Sequence, residues 1–189
     1  MGKLLNIHDF SLSTANGPGR RAVIWFQGCS FRCKGCFNPG ALTMDIHKEI
    51  SVDDLFNEVR SLEMKGEIEG ITLSGGEPLM QIDLVLQFLE RVRNETSLSV
   101  IVFTGWTLEE IAKMEDVPEA LEKLVDVIIA GRYVERWRIA SGLIGSSNKK
   151  MYFFTQRYRE YDFREVPVSE IRISLNGDTL VTGINPAKL

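Results

Sequence analysis

Three cysteines within a short segment constrain this chain more than any other feature of its sequence. They are Cys29, Cys33 and Cys36, and the 189 residues contain no other cysteine. An odd number of closely spaced thiols is a poor basis for a disulfide framework. Thiolates at this density bind zinc, copper(I) or iron–sulfur clusters. The sequence therefore predicts one metal centre, held by a C-x3-C-x2-C loop.

The residues themselves leave two kinds of centre open. Structural zinc sites have four ligands, and His47 could complete a Cys3His site, although its spacing matches no common zinc finger. A [4Fe–4S] cluster on three thiolates would leave one iron open to an external ligand, which indicates function rather than structure. The basic Arg32 and Lys34 of the loop are expected to offset the charge of an anionic cluster.

Composition excludes several classes of protein. The chain is 44% hydrophobic and 25% charged, with a net charge of -4, which is ordinary for a globular protein and unfavourable for nucleic-acid binding. It has no apolar run near the ~18 residues of a membrane span and no signal-like N-terminal block. We therefore expect a cytoplasmic protein with no nucleic acid and no membrane among its partners.

Short apolar runs alternate with helical patterns along the chain. The strands are predicted at 22–27, 70–74, 99–103 and 126–130, and the helices at 52–65, 81–94, 108–114 and 118–124. This alternation indicates parallel strands with right-handed crossovers, in an open sheet or an incomplete barrel. Farther on, Asn176-Gly177 between apolar runs predicts a hairpin.

The unusual residues follow the predicted strands directly. Cys29, Gly75-Gly76-Glu77, Thr104 and Gly131-Arg132 each come just after a different strand. Because the carboxyl ends of parallel strands share one edge of the sheet, we expect these groups to converge there. Glu77 could bind a ligand ammonium or fix its own turn, and the two glycines would let a ligand approach the backbone closely.

The cysteine loop after a first strand and Gly75-Gly76-Glu77-Pro78 after a second resemble the radical S-adenosylmethionine superfamily. The resemblance implies that the three cysteines hold a [4Fe–4S] cluster and that its open iron binds the methionine moiety of S-adenosylmethionine. One electron then cleaves the sulfonium to an adenosyl radical that abstracts hydrogen, so the cofactor rather than a side chain carries the catalysis. The resemblance also implies that Gly75, Gly76 and Glu77 hold the methionine end.

Further segments are similar to one branch of this superfamily, the small glycyl-radical activases of anaerobic ribonucleotide reductases. They are Gly35 to Pro39, Asp126 to Tyr133 and Gly145 to Asn148. From their positions after the strands, Thr104 could hydrogen-bond the ligand, and Arg132 could meet its carboxylate or pair with Glu135. Asn148 could bond ribose hydroxyls or shape its loop, and the resemblance favours the ligand contact. Phe103 stands where some activases have an aspartate near a monovalent cation, so no such cation is expected.

We therefore expect an α/β fold, an incomplete TIM-like β/α barrel of parallel strands with a C-terminal β-hairpin tail. It would be a single domain over 1–189, with a cluster- and S-adenosylmethionine-binding core at 1–150 and a β-rich tail at 151–189. The implied partners are a glycyl-radical enzyme, the large subunit of an anaerobic ribonucleotide reductase, and a low-potential electron donor such as flavodoxin or ferredoxin. Two alternatives stay open: a radical enzyme acting on a small molecule, such as a 7-deazaguanine-type ring rearrangement, and a non-enzymatic metal-thiolate or electron-transfer module.

Overall fold

A computed structural model describes residues 4–174, 176–177 and 179–184, without the side chains of Ala140 and Leu180. Its centre is a seven-stranded sheet. The strands of this sheet are β1 Leu5–Ser13, β2 Arg21–Phe26, β3 Lys48–Ile50, β4 Gly70–Gly75, β5 Ser99–Phe103, β6 Val127–Ala130 and β9 Lys150–Phe153, in the order β3-β1-β2-β4-β5-β6-β9. In the described part of the chain, no helix is long and apolar enough to cross a membrane.

The four strands predicted from apolar runs form the middle of this sheet, and they are parallel to one another. The prediction of an all-parallel sheet is wrong at the edges. β1 and β3 extend one side in antiparallel pairing, and β9 pairs antiparallel with β6 on the other. The sheet is thus mixed but mostly parallel at its centre, and its curling into a partial barrel stays a prediction.

Helices cover one face of the sheet. They are α1 Val52–Met64, α2 Ile82–Glu95, α3 Leu108–Ile111 and α4 Val117–Leu124, with a 3-10 turn Pro78–Gln81 leading into α2. The predicted helix starts are confirmed to within a residue, and α3 ends three residues earlier than predicted. The Ser51 hydroxyl accepts a hydrogen bond from Asp54 N at the start of α1, and a reciprocal capping box of Thr107 and Glu110 begins α3.

The opposite face of the sheet carries a smaller core. Ile101, Val127 and Ile129 pack there against Leu143, Phe163 and Val166 from the C-terminal half. Two short strands, β7 Arg138–Ser141 and β8 Ile144–Ser146, precede β9 in the sequence and pair antiparallel with each other. The C-terminal half therefore supplies the second layer that shields the sheet from water.

The C-terminal hairpin is confirmed as β10 Glu170–Ile173 paired antiparallel with β11 Thr179–Thr182. Leu175 and Asp178, which belong to the predicted hairpin, lie outside the described residues. The expected boundary after residue 150 falls within β9, which belongs to the main sheet. The division into core and tail is thus not visible as a break in the sheet.

Candidate functional site

One cavity of about 420 Å³ collects the loops that follow the parallel strands. Its walls include all three cysteines, the Gly75-Gly76-Glu77 turn after β4, Thr104 after β5 and Gly131 after β6. The structure therefore shows the predicted convergence at the carboxyl edge of the sheet for these groups, but not for Arg132. Val181, Thr182 and Gly183 of the C-terminal hairpin also line this cavity.

The cysteine loop places three free thiols against the cavity. Cys29 is buried, while Cys33 and Cys36 are partly exposed. Burial raises the pKa of the Cys29 thiol, and the backbone N–H groups of Phe31 and Arg32 oppose this rise. Burial likewise raises the pKa of Cys36, opposed by the N–H of Asn38, which donates to its Sγ at 3.4 Å.

These thiols fit an iron–sulfur cluster by the chemistry of their donor set. All three are free and share one cavity, and backbone N–H groups approach Cys29 and Cys36, which suits thiolate sulfur in such clusters. Among the described residues, no group of three or more His, Cys, Asp or Glu side chains converges closely enough to hold a single metal ion. His47 packs against His8 with ring centroids 5.1 Å apart and does not line the cavity, so the Cys3His zinc alternative gains no support.

Gly76 brings the Gly-Gly turn against the cysteine loop. A Cβ on Gly76 would lie 2.3 Å from the Gly28 carbonyl oxygen and 2.8 Å from that of Ala41. The N–H of Glu77 also donates to the Gly28 oxygen, at 2.9 Å. The two glycines were expected to let a ligand approach the backbone closely. At Gly76, the group that comes close is the cysteine loop itself.

Glu77 is buried, and its carboxylate is occupied by hydrogen bonds within the protein. Oε1 accepts from Thr104 Oγ1 at 2.8 Å and from Leu79 N at 3.0 Å, and Oε2 accepts from Gly105 N at 2.6 Å. Burial raises the pKa of Glu77, while these donors oppose the rise. The contacts favour the alternative in which Glu77 fixes the turn, and they tie the ends of β4 and β5 together.

Arg132 does not line the cavity. Its Nη1 donates to both carboxylate oxygens of Glu110 at 2.9 Å, and its guanidinium lies over the Phe31 ring, 4.3 Å from the centroid. Of the two alternatives for Arg132, the pairing with Glu135 is not formed, since Glu135 pairs with Lys34 at 3.2 Å. In this structure Arg132 fastens the cysteine loop, through Phe31, to the segment that follows β5.

Asn148 also lies outside the cavity lining. Its Nδ2 donates to the Arg132 carbonyl oxygen at 2.8 Å, whereas its Oδ1 is buried without a hydrogen-bond partner. The amide therefore holds the loop after β6 in place, and none of the described residues provides a donor for its buried Oδ1.

Lys149 is the site residue that sequence reasoning missed. Lys149 lines the cavity, and its Nζ donates to the Thr104 carbonyl oxygen at 3.3 Å. Burial lowers the pKa of Lys149 to about 8, while the negative charges of Glu77, Cys33 and Cys36 act in the opposite direction. No signal in the sequence distinguishes Lys149 from its neighbour Lys150.

Comparison with known proteins gives a family match over most of the chain. The family described as "4Fe-4S single cluster domain" matches residues 15–152. An anaerobic ribonucleoside-triphosphate reductase-activating protein of Pasteurella multocida is 30% identical over 161 residues, covering 79% of this chain and 98% of that protein. Its counterpart from Vibrio cholerae is 28% identical, covering 80% and 99%.

A second kind of activating enzyme and one solved structure are also similar to this chain. The pyruvate formate-lyase 1-activating enzyme of Escherichia coli is 30% identical over 161 residues, covering 82% of this chain but 63% of that enzyme. Among solved structures, a crystal structure of QueE from Escherichia coli aligns with a TM-score of 0.42 and 15% identity, covering 67% of this chain and 70% of that one.

Proposed function

This chain belongs to the family of 4Fe-4S single cluster domains that includes the anaerobic ribonucleoside-triphosphate reductase-activating proteins, and we propose that it generates the glycyl radical of such a reductase. Family membership makes it a radical S-adenosylmethionine enzyme that uses a [4Fe–4S] cluster and S-adenosylmethionine. We propose both the identity of the partner and the roles of the site residues.

The observation that carries this proposal is the cavity. Three free thiols and the Gly75-Gly76-Glu77 turn line one space at the carboxyl ends of four parallel strands. Cys29, Cys33 and Cys36 would hold the cluster through one thiolate each. When bound, the cluster supplies the electron that cleaves S-adenosylmethionine.

The remaining residues shape and close the site. The Glu77 carboxylate fixes the turn through Thr104 and Gly105, so that the backbone after β4 is held rigidly beside the thiols. Phe37 stacks on Tyr133 with ring centroids 4.8 Å apart, and both rings line the cavity. Such apolar walls restrict water around a reactive centre, and an entering protein segment would complete the seal.

Alignment coverage supports the reductase as the proposed partner. The alignment covers 98% of the Pasteurella multocida activating protein but 63% of the pyruvate formate-lyase 1-activating enzyme. The latter therefore carries sequence that this chain does not match. An electron donor of low potential, such as flavodoxin or ferredoxin, is also proposed, since the cluster must be reduced before it can act.

The test is a reconstitution with candidate partners. The anaerobically reconstituted protein would be reduced and mixed with S-adenosylmethionine and the anaerobic ribonucleotide reductase of the same organism, with a pyruvate formate-lyase as the second arm. We expect 5′-deoxyadenosine and a glycyl-radical signal on the reductase by electron paramagnetic resonance. The variant Cys33→Ala, which removes one thiolate, should give neither.

Other outcomes would overturn the proposal. A radical on the lyase alone would make the lyase the partner. 5′-Deoxyadenosine with no radical on either protein would favour a small-molecule substrate, and a cluster that never cleaves S-adenosylmethionine would favour an electron-transfer module.

A further inference from the structure

Among its described lining residues, the cavity contains one lysine, Lys149, no arginine and one histidine, His8. Its charged lining residues are Asp9, Glu77 and Lys149, with no other lysine and no arginine in the described wall. A cluster held by three thiolates is anionic, and reduction adds another negative charge to it. A positive charge in the same low-dielectric space therefore acts on the cluster more strongly than one at the protein surface.

Lys149 is fixed in place from both ends. Its backbone N–H donates to the Ser146 carbonyl oxygen at 3.0 Å, just before β9, and its Nζ reaches the Thr104 carbonyl oxygen at the end of β5. A Cβ on Gly131 would lie 3.5 Å from the Lys149 Cα, so the lysine passes close over the end of β6. The side chain thus crosses the strand ends at the edge where the thiols lie.

The other basic residues that the sequence places near the cluster lie outside the cavity lining. The Lys34 side chain is 90% exposed and pairs with Glu135. Arg32 is exposed, and Arg132 is bound to Glu110. None of the three lines the cavity. The positive charge expected from Arg32 and Lys34 of the cysteine loop is instead provided inside the cavity by Lys149.

We propose that the Lys149 ammonium offsets the negative charge of the cluster and its thiolates, and so favours the reduced cluster over the oxidised one. This inference rests on the proposed function, because it requires a cluster on Cys29, Cys33 and Cys36. The reaction concerned is the transfer of one electron from an external low-potential donor to the oxidised cluster. Lys149 exchanges no atom in that step and acts only through its positive charge.

The experiment is a redox titration of the reconstituted protein without S-adenosylmethionine, followed by the electron paramagnetic resonance signal of the reduced cluster. We expect Lys149→Met to lower the equilibrium constant for reduction about tenfold, which is a midpoint about 59 mV more negative for one electron. Lys149→Gln, which keeps a donor for the Thr104 oxygen but loses the charge, should shift alike. Lys149→Arg should stay near wild type.

The matched control is Lys150→Met. Lys150 is the exposed neighbour of Lys149 and does not line the cavity, so the same change in net charge should leave the midpoint unchanged. Iron and sulfide content, measured for every variant, ensures that loaded clusters are compared.

Three results would overturn the proposal. One is a wild-type midpoint in Lys149→Gln, and another is an equal shift in Lys150→Met. The third is a shift that arises only when S-adenosylmethionine is added, because the ammonium would then act on the ligand rather than on the cluster. If wild type forms no cluster at all, the proposed function itself fails.

Discussion

Glu77 shows how a single buried residue can hold the backbone of the site in place. Its buried carboxylate accepts hydrogen bonds from Leu79, Thr104 and Gly105, which belong to the segments after β4 and β5. In an apolar environment each lost partner leaves a donor that has been taken out of water at a cost. The rigidity of the turn therefore depends on one carboxylate.

Removal of that carboxylate should be expensive. We expect Glu77→Ala to lower the free energy of unfolding of the apo protein by about 2–4 kcal/mol, since an unsatisfied buried donor costs about 1–3 kcal/mol. Thr104→Val, which removes one of the donors, should cost about 1–2 kcal/mol. Urea unfolding followed by circular dichroism measures both. The exposed Glu58→Ala is the control, and a Glu77→Ala protein as stable as this control would contradict the role given to Glu77.

The residues of the site were unequally visible in the sequence. The cysteines and Glu77 follow apolar strands directly, so their positions at one edge could be inferred from topology. Lys149 follows no apolar run and has a basic neighbour, Lys150, which is exposed. Nothing in one-dimensional spacing distinguishes the two lysines, because only the path of the chain over the end of β6 turns Lys149 inward.

At the scale of elements, the end of β4 is packed backbone to backbone against the cysteine loop. Gly75 has φ +97°, and Gly76 approaches the Gly28 carbonyl so closely that a side chain would collide with main-chain atoms that cannot rotate away. The contact joins the two sequence motifs directly, which explains their placement after neighbouring strands.

Gly76→Ala tests this contact. We expect the variant to lose the cluster on reconstitution, with iron content well below wild type, because the cysteine loop must move to admit the methyl group. Gly66→Ala is the matched control: Gly66 has φ +67° but open space around it, so the change should cost about 1–2 kcal/mol in stability and leave iron content unchanged. Normal iron content in Gly76→Ala would show that the loop tolerates displacement.

Strand prediction succeeded where both faces are buried and failed at the edges of the sheet. β2, β4, β5 and β6 are apolar runs, as expected for central parallel strands. β1 has the sequence LNIHDFSLS and is mostly half-exposed, so neither an apolar run nor a clean alternation marks it. Its pairing with β2 and β3 is decided by tertiary contacts, which local sequence does not encode.

At the scale of the whole molecule, the C-terminal hairpin is fastened to the first strand and reaches the cavity. Glu170 Oε2 accepts from Ser13 Oγ at 2.7 Å and from Thr14 N at 2.8 Å, and Asn16 Nδ2 donates to Thr182 Oγ1 at 2.8 Å. Since Thr182 and Gly183 line the cavity, attachment of the hairpin helps to define the site. The hairpin could be predicted from the sequence, whereas its contacts with the end of β1 and with the cavity could not.

This attachment should depend on pH. Partial burial acts to raise the pKa of Glu170, but the donors Ser13 and Thr14 and the charge of Arg172 outweigh it and hold the pKa below its ordinary value. The stabilisation is therefore complete above pH 4.5 and is lost as pH falls through the folded-state pKa. Glu170→Gln should cost about 1–2 kcal/mol at neutral pH, and the difference from wild type should vanish in acid. Urea unfolding across the acid range measures this, and a difference that does not change with pH would refute it.

The opposite end of the parallel strands carries a second buried polar centre that composition did not reveal. Arg21 is fully buried, and it donates to the Thr72 and Ser99 hydroxyls and to the carbonyl oxygens of Pro18 and Ser99. Burial lowers its pKa, while the nearby Tyr158 opposes the shift. An arginine at the start of a strand is ordinarily read as exposed, so this packing emerges only from the assembled sheet.

The central claim is that the three thiols hold a cluster whose open iron binds S-adenosylmethionine. It is tested most directly by anaerobic reconstitution with iron and sulfide, followed by electron paramagnetic resonance of the reduced protein with and without S-adenosylmethionine. We predict a reduced [4Fe–4S] signal that changes shape when S-adenosylmethionine is added. A protein that binds no cluster, or a cluster whose signal is the same with and without S-adenosylmethionine, would contradict the account.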